Sequence, residues 1–232
     1  MPRHARLIPL LLLAVAATLR AAPDRTCRIL FLAAPEGAPE TLLLFDGTSS
    51  RPVELPRMNL SPVYPLPSGD ITLRMLAQAP SDAKPADPAA PSAKVAASVT
   101  DLYLLVTADP ANRAVPVKLQ VINAGADVFH KGQMLWFNLT PNRINGRLGD
   151  RGIALAPQSR AILDSPASGN DDYEVNLTYT LPENPKTYPL CETRWHNTPD
   201  SRGLFFVFTQ PGVRTPRVVG FPDTRPNPES AK

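Results

Sequence analysis

Cysteine, histidine, glycine and aromatic residues are all scarce in this chain. Its 232 residues include 2 Cys, 3 His and 12 Gly, and aromatic residues make up 6%. The sequence contains no His-Glu-x-x-His motif and no paired Cys-x-x-Cys motifs, which argues against a conventional zinc site. It also has no glycine-rich phosphate loop and no dinucleotide fingerprint. We therefore expect no metal, no cofactor and no nucleotide-dependent chemistry.

Proline, by contrast, is abundant. The chain has 28 Pro, about double the ordinary usage. Because proline breaks helices, this number argues against long helices and against a helical bundle. The 43% of hydrophobic residues is enough to build a core, so the chain is not of the disordered class.

The N-terminus has the pattern of a secretory signal peptide. A basic start precedes an apolar run from Leu7 to Leu19, and small residues follow at Ala21 and Ala22. The run is shorter than the about 20 residues that a membrane-spanning helix needs, although an uncleaved anchor is the alternative. We predict a signal peptide over residues 1–21 and a soluble mature protein, periplasmic or extracellular. No later stretch is long enough for a transmembrane helix.

Removal of this signal changes the charge balance. The whole chain has 24 Lys and Arg against 21 Asp and Glu, but Arg3, Arg6 and Arg20 lie in the predicted signal. The mature chain then has 21 residues of each sign. Without a basic cluster it has no electrostatic footprint for phosphate backbones, which excludes nucleic acid as a partner.

The two cysteines are Cys27 and Cys191. In an exported chain, an even number of cysteines predicts a disulfide, here one that ties the start of the mature chain to its last third. Two reduced thiols, or a catalytic Cys191 served by His196, are the alternatives.

Apolar and polar residues alternate along several segments, which indicates half-buried β-strands. The alternation is clearest in 71–75, 117–121 and 173–181. Denser apolar runs, typical of strands covered on both faces, occupy 42–45, 102–106, 134–139 and 204–208. Turn signals such as Asp46-Gly47 and Asn145-Gly146 separate these segments. Many short strands with regular turns predict an all-β chain of sandwiches or barrels.

The length suits two β-sandwich, immunoglobulin-like domains after the signal peptide. We predict the first domain over residues 22–113 and the second over residues 114–220. An Ala- and Pro-rich segment, 77–94, is interpreted as a mobile loop within the first domain, with an interdomain linker as the alternative. Residues 221–232, rich in Pro and polar residues, are predicted to be a disordered tail.

Residues 28–76 carry a family resemblance. The segments Ala34-Pro-Glu-Gly-Ala-Pro39, Leu43-Leu-Phe-Asp-Gly47 and Ser61-Pro-Val-Tyr-Pro-Leu-Pro-Ser-Gly69 resemble a bacterial family of exported β-sandwich domains of unknown function. In that family an Ala-Ser-Pro-Asp-Ala-Pro-like turn stands where this chain has Ala for Ser and an inserted Gly. The resemblance implies fold and export, and it supplies no catalytic residues.

Few residues are candidates for ligand contact. Trp195, between Arg194 and His196, offers an indole face that suits stacking against a sugar ring, although tryptophans in strands more often pack in cores. His130 precedes the Trp136 strand and is either functional or a plain surface-loop residue. The acidic cluster around Asn170-Asp171-Asp172 offers oxygen ligands for calcium, but turn chemistry explains it equally well.

Three functions remain. The first is a non-catalytic exported protein of the bacterial cell envelope with an interaction, assembly or surface-binding role, whose partner is an envelope protein or a surface polysaccharide. The second is a two-domain periplasmic chaperone that donates a strand to its subunits. The third is an exported hydrolase or lyase acting on polysaccharide, which needs two carboxylates about 5 to 10 Å apart in a cleft. No catalytic constellation is evident, so enzymatic activity is not expected.

Overall fold

The structure is a computed structural model that describes residues 25–81, 85–167, 169–210 and 212–224. All regular secondary structure in these ranges is β-strand. The strands in chain order are β1 (Arg25–Phe31), β2 (Thr41–Phe45), β3 (Ser50–Glu54), β4 (Tyr64–Leu66), β5 (Ile71–Leu76), β6 (Ser92–Val95), β7 (Asp101–Ala108), β8 (Val117–Asn123), β9 (Gln133–Asn138), β10 (Arg143–Leu148), β11 (Arg151–Leu155), β12 (Ser159–Asp164), β13 (Asp172–Leu181), β14 (Asn184–His196), β15 (Arg202–Phe208) and β16 (Arg217–Asp223). The prediction of an all-β chain with two sandwiches is confirmed.

Each sandwich consists of an inner and an outer sheet of four strands. In the first sandwich the inner sheet has the order β4-β1-β7-β8 and the outer sheet the order β3-β2-β5-β6. In the second, the inner sheet is β12-β9-β15-β16 and the outer sheet is β11-β10-β13-β14. Most neighbours are antiparallel, but β1 pairs with β7 and β9 pairs with β15 in parallel, so each inner sheet is mixed.

The two inner sheets pack against each other, which makes the described part of the chain a stack of four sheets. Alternate residues of an inner strand therefore enter different cores. In β1, Ile29 and Phe31 pack inside the first sandwich, whereas Leu30 packs between the inner sheets. In β9, Trp136 packs inside the second sandwich and Phe137 lies between the inner sheets.

This stacking explains the dense apolar runs. Strands β7, β9 and β15 are buried along most of their length because both faces of an inner sheet are covered, as the sequence predicted. The run 42–45 differs, because β2 belongs to an outer sheet and its residues alternate between buried and partly exposed.

A buried ion-pair network joins the inner sheets. The side chain of Asp223, at the end of β16, is fully buried. Its Oδ1 lies 2.6 Å from Nη1 of Arg28, and its Oδ2 lies 2.8 Å from Nη2 of Arg202. The hydroxyl of Tyr103 donates to the same Oδ2 over 2.5 Å. Arg202 also lies 3.1 Å from Asp101 on β7, so both arginines connect the two sandwiches.

Burial and neighbouring charge act in opposite directions on Arg202. Burial lowers the pKa of its guanidinium, but Tyr103 and Asp223 raise it and outweigh the burial, so the net shift is upward. The guanidinium therefore stays charged within the network, and it also donates to the carbonyls of Ala124 and Phe129.

Strand pairing corrects the predicted domain bounds. Strand β8 pairs with β7, which extends the first sandwich to Asn123, and the second begins with β9. The predicted change of domain at 113/114 ignored this pairing, because the Asp109–Ala114 turn resembles a linker. Residues 221–223, predicted as disordered tail, are buried or paired in β16, while residues 225–232 lie outside the described ranges.

The segment 77–94 connects neighbouring strands of one sheet. Strands β5 and β6 pair antiparallel, and β6 begins at Ser92, inside the range predicted as a loop. Residues 82–84 lie outside the described ranges, as does the predicted signal peptide. Within the described residues, no helix is long and apolar enough to cross a membrane.

The predicted disulfide is wrong. Cys27 and Cys191 are not bonded to each other. Cys27 is buried between the sheets of the first sandwich, whereas Cys191 lies on β14 in the outer sheet of the second. A disulfide needs Cα atoms within about 7 Å, and two sheet spacings of about 10 Å each separate these strands.

We expect the Asp223→Asn substitution to destabilise the protein by about 3–5 kcal/mol, because it leaves buried arginines without their full countercharge. Urea unfolding measures this change. The matched control is Asp150→Asn, whose carboxylate lies 3.9 Å from Arg147 and is fully exposed, so that its loss should leave the free energy of unfolding almost unchanged. An equal loss of unfolding free energy in the two variants would show that the buried ion pairs of Asp223 do not stabilise the fold as described.

We also expect reductant to leave the melting temperature unchanged, because the two cysteines lie in different cores. Calorimetry with and without dithiothreitol measures this. A fall of several degrees in the melting temperature on reduction, absent in a Cys191→Ser variant, would show that the disulfide forms.

Candidate functional site

A cleft of about 490 Å³ opens in the second sandwich, where the edge strand β14 faces the edge strand β16. Its volume lies within the range of about 300–1,000 Å³ that is common for small-molecule sites. A smaller cavity of about 270 Å³ beside β5 is lined mostly by Ala and Pro. The larger cleft combines aromatic, amide and hydroxyl side chains, and it is the candidate site.

Stacked aromatic rings form one wall of the cleft. The ring of Phe205 lies nearly parallel to that of Trp195, with centroids 5.1 Å apart, and to that of Trp136, with centroids 4.6 Å apart. Tyr173 meets Trp195 edge to face at 6.3 Å. Trp136 is fully buried, whereas Trp195 is only partly buried and lines the cleft. The stack therefore presents the indole of Trp195 to the cleft and supports it with the buried rings packed against it.

Strand register brings these rings together. Phe205 is opposite Trp136 in the β9–β15 pair, and Tyr173 is opposite Trp195 in the β13–β14 pair. Side chains opposite each other on one face are close neighbours. The stack consequently spans both sheets of the second sandwich.

Two glycines make room for Phe205. A Cβ atom at Gly203 would come within 2.5 Å of the Phe205 ring, and one at Gly220 within 2.6 Å. Gly220 is opposite Phe205 in the β15–β16 pair, and Gly203 is two residues away on the same face. The ring lies over both, so a side chain at either position would push it toward Trp195 and the cleft.

Hydrogen bonds between uncharged groups fix the loops at one end of the cleft. Asn197 is buried and its Nδ2 donates to the carbonyls of Ala167, at 2.9 Å, and Gly169, at 2.6 Å. Its Oδ1 accepts a hydrogen bond from Ser165. Gln133 accepts a hydrogen bond from the main-chain N–H of His130 at 3.1 Å. These bonds anchor the loops that border the cleft.

Two ion pairs lie along the lip of the cleft, on the outer face of the outer sheet. Nδ1 of His196 is 2.9 Å from Oδ1 of Asp172, and Nη2 of Arg194 is 3.6 Å from Oε1 of Glu174. An ionised carboxylate only accepts hydrogen bonds, so Nδ1 of His196 carries the proton in this pair. The other ring nitrogen of a neutral His196 is then an acceptor.

Burial raises the pKa of Tyr173, which lines the cleft, and of Cys191, which lies farther along β14. The pKa of Tyr173 rises to about 12, so its hydroxyl stays protonated at neutral pH. Burial also raises the pKa of the Cys191 thiol, whereas reactive cysteines have a lowered pKa. Cys191 is five residues from His196 on one strand, about 17 Å along it. This separation argues against a Cys191–His196 catalytic pair.

Of the two residues that the sequence predicted as ligand contacts, the structure places one in the cleft and the other at its margin. Trp195 lines the cleft, whereas His130 is exposed in the loop before β9 and reaches the cleft margin through its main chain. Within the described ranges, no group of three or more His, Cys, Asp or Glu side chains could hold a metal ion. This includes the cluster around Asp171 and Asp172.

Sequence reasoning missed Tyr173, Phe205, Asn197 and the two glycines as parts of one site. Gly203 and Gly220 each interrupt an apolar strand pattern. An isolated glycine in a strand often marks a close approach of another group, and that signal was available in the sequence.

Comparison with known proteins adds little. No protein-family model matches the chain, and no curated protein matches it. Among solved structures, the chain is similar to a DUF3823 family protein from Bacteroides ovatus, with 12% identity and a TM-score of 0.20 over 74% of this chain and 98% of that one. A similarity of this size identifies neither a family nor a function for the chain.

We expect Gly220→Ala to destabilise the protein by about 1–3 kcal/mol, the usual effect of overpacking, and to change the near-ultraviolet circular dichroism of the Trp195 stack. Gly152→Ala is the matched control, because a Cβ there meets nothing within 4 Å. An unchanged aromatic spectrum in Gly220→Ala would show that Phe205 is not confined as described.

Proposed function

We propose that this chain is an exported, non-catalytic protein of the bacterial cell envelope with a surface-binding role, and that it binds its ligand in the cleft between β14 and β16. The observation that carries the proposal is the aromatic wall of this cleft, in which a partly exposed Trp195 lies on Phe205. Large aromatic rings with one accessible surface are frequent in binding sites.

Export is supported by the N-terminal sequence. The basic start and the apolar run from Leu7 to Leu19 have the pattern of a cleaved signal. The protein then acts in the periplasm or outside the cell. The buried ion pairs of Asp223 support a binding role, because they hold the inner sheet that carries Phe205 against the first sandwich. A preorganised site loses less entropy when a ligand binds.

A strand-donating chaperone is less well supported. Such a mechanism needs an exposed strand edge that can pair with a subunit. The longest edge strand, β14, contains Pro185 and Pro189, and its pairing with β13 is irregular between Leu177 and Thr178. Proline and irregular pairing both hinder the addition of a further strand.

A polysaccharide hydrolase is also less well supported. Asp164, beside the cleft, accepts a hydrogen bond from Gln133 at 3.1 Å and lies 3.6 Å from Arg151. The other carboxylates beside the cleft are Asp172 and Glu174, and each lies in a pair with a basic residue. Both project from the outer face of the outer sheet, whereas Trp195 points between the sheets. No described carboxylate is among the residues that line the cleft.

The test is a cross-linked pull-down of the tagged, exported protein from its native envelope. We expect the wild type and Glu192→Ala, which changes an exposed β14 residue outside the cleft, to retain the same envelope components. Trp195→Ala should lose most of them, while Trp195→Phe, which keeps a ring, should retain a part. Circular dichroism establishes that each variant is folded. Retention no greater than background, or retention independent of Trp195, would contradict the proposal.

A further inference from the structure

We infer that the ligand of the cleft is a neutral saccharide, one of whose rings stacks on the indole of Trp195. This inference rests on the proposed function, because it names the ligand class of the same site. Three observations support it: the indole of Trp195 is supported by other rings, carboxylates already pair with Arg194 and His196 at the lip, and the remaining polar groups of the lining are neutral.

The indole of Trp195 has the support that a stacking surface needs. Its ring lies on Phe205 at 5.1 Å and within 17° of the plane of Trp136. Tyr173 fixes its orientation through an edge contact. A ring held in this way loses little conformational entropy on binding, and its flat apolar surface matches the C–H face of a pyranose.

The charge at the cleft argues for a neutral ligand. Among the described residues that line the cleft, Arg194 is the only one with a permanent charge, and Glu174 lies 3.6 Å from it. His196 likewise faces Asp172. An anionic polymer would have to compete with these carboxylates, whereas a neutral ligand needs no countercharge. Both pairs are exposed and therefore weak, so their polar atoms can exchange partners with hydroxyls at small cost.

The remaining polar lining suits hydroxyl groups, which both donate and accept. Gln133, Ser165, Thr198 and Ser201 carry uncharged amide and hydroxyl groups. Gln133 already donates to Asp164, and the hydroxyls of Ser165 and Ser201 donate within the protein, so that their oxygens still have acceptor lone pairs. As an edge strand, β14 presents main-chain N–H and C=O groups on the side away from β13. A peptide strand would need a long stretch of this edge, and Pro185 and Pro189 interrupt it. A short saccharide needs only the end near Trp195.

The deciding experiment treats the native envelope fraction in two ways before binding. Periodate cleaves vicinal diols of sugars, and a nonspecific protease removes protein. We expect periodate to abolish retention of the full exported protein and protease to leave it intact. Retention lost to protease and kept after periodate would overturn the saccharide while leaving a surface-binding role in place. No retention by untreated envelope would overturn the proposed function itself.

Fluorescence then locates the binding and tests the charge argument. The probes are hexasaccharides of glucose, xylose, mannose and N-acetylglucosamine, with hexagalacturonate as the anionic comparison. We expect a neutral probe to change the emission of Trp195, and Trp195→Ala to raise the Kd about tenfold. The control is Arg160→Ala, an exposed residue of β12 outside the cleft. Binding of hexagalacturonate alone would overturn the neutral class, and equal Kd values for wild type and Trp195→Ala would overturn the stacking.

Discussion

The fully buried carboxylate of Asp223 is the interaction on which the arrangement of the two sandwiches depends. It joins Arg28 of β1 to Arg202 of β15, and it accepts a hydrogen bond from the hydroxyl of Tyr103. A buried charge is tolerable only when it is paired and hydrogen-bonded, so the network permits one relative placement of the two inner sheets. Apolar packing between the two inner sheets buries most of the surface at their contact, whereas the ion pairs determine how the sheets are aligned with each other.

The candidate cleft depends on the same constraint. Arg202 and Phe205 are three residues apart on β15, so their side chains face opposite sides of the inner sheet. One face of β15 is held against the first sandwich, and the other carries Phe205 under Trp195. The position of the aromatic wall therefore follows from a contact made on the far side of the sheet.

Proline has a clear role in this architecture. Every described strand that contains proline is an edge strand: Pro52 in β3, Pro65 in β4, Pro185 and Pro189 in β14, and Pro222 in β16. Each of the four sheets has such an edge. Because proline cannot donate a ladder hydrogen bond, it hinders pairing between copies of the chain. The opposite edges of the four sheets, β6, β8, β11 and β12, contain no proline, so this protection covers one edge of each sheet.

The sequence by itself determined many of the strands and, for most of these, their burial. Alternation gave the half-buried outer strands such as β13, and the apolar runs predicted that β7, β9 and β15 are covered on both faces. Only the tertiary structure decided which strands are neighbours. Asn145-Gly146 has the pattern of a hairpin turn but lies inside β10, where Gly146 is opposite Leu177 and a side chain would collide with β13. Local sequence reports periodicity and turn preference, whereas the separation of Cys27 from Cys191 and the stacking of Phe205 on Trp195 depend on pairings between residues distant in the chain.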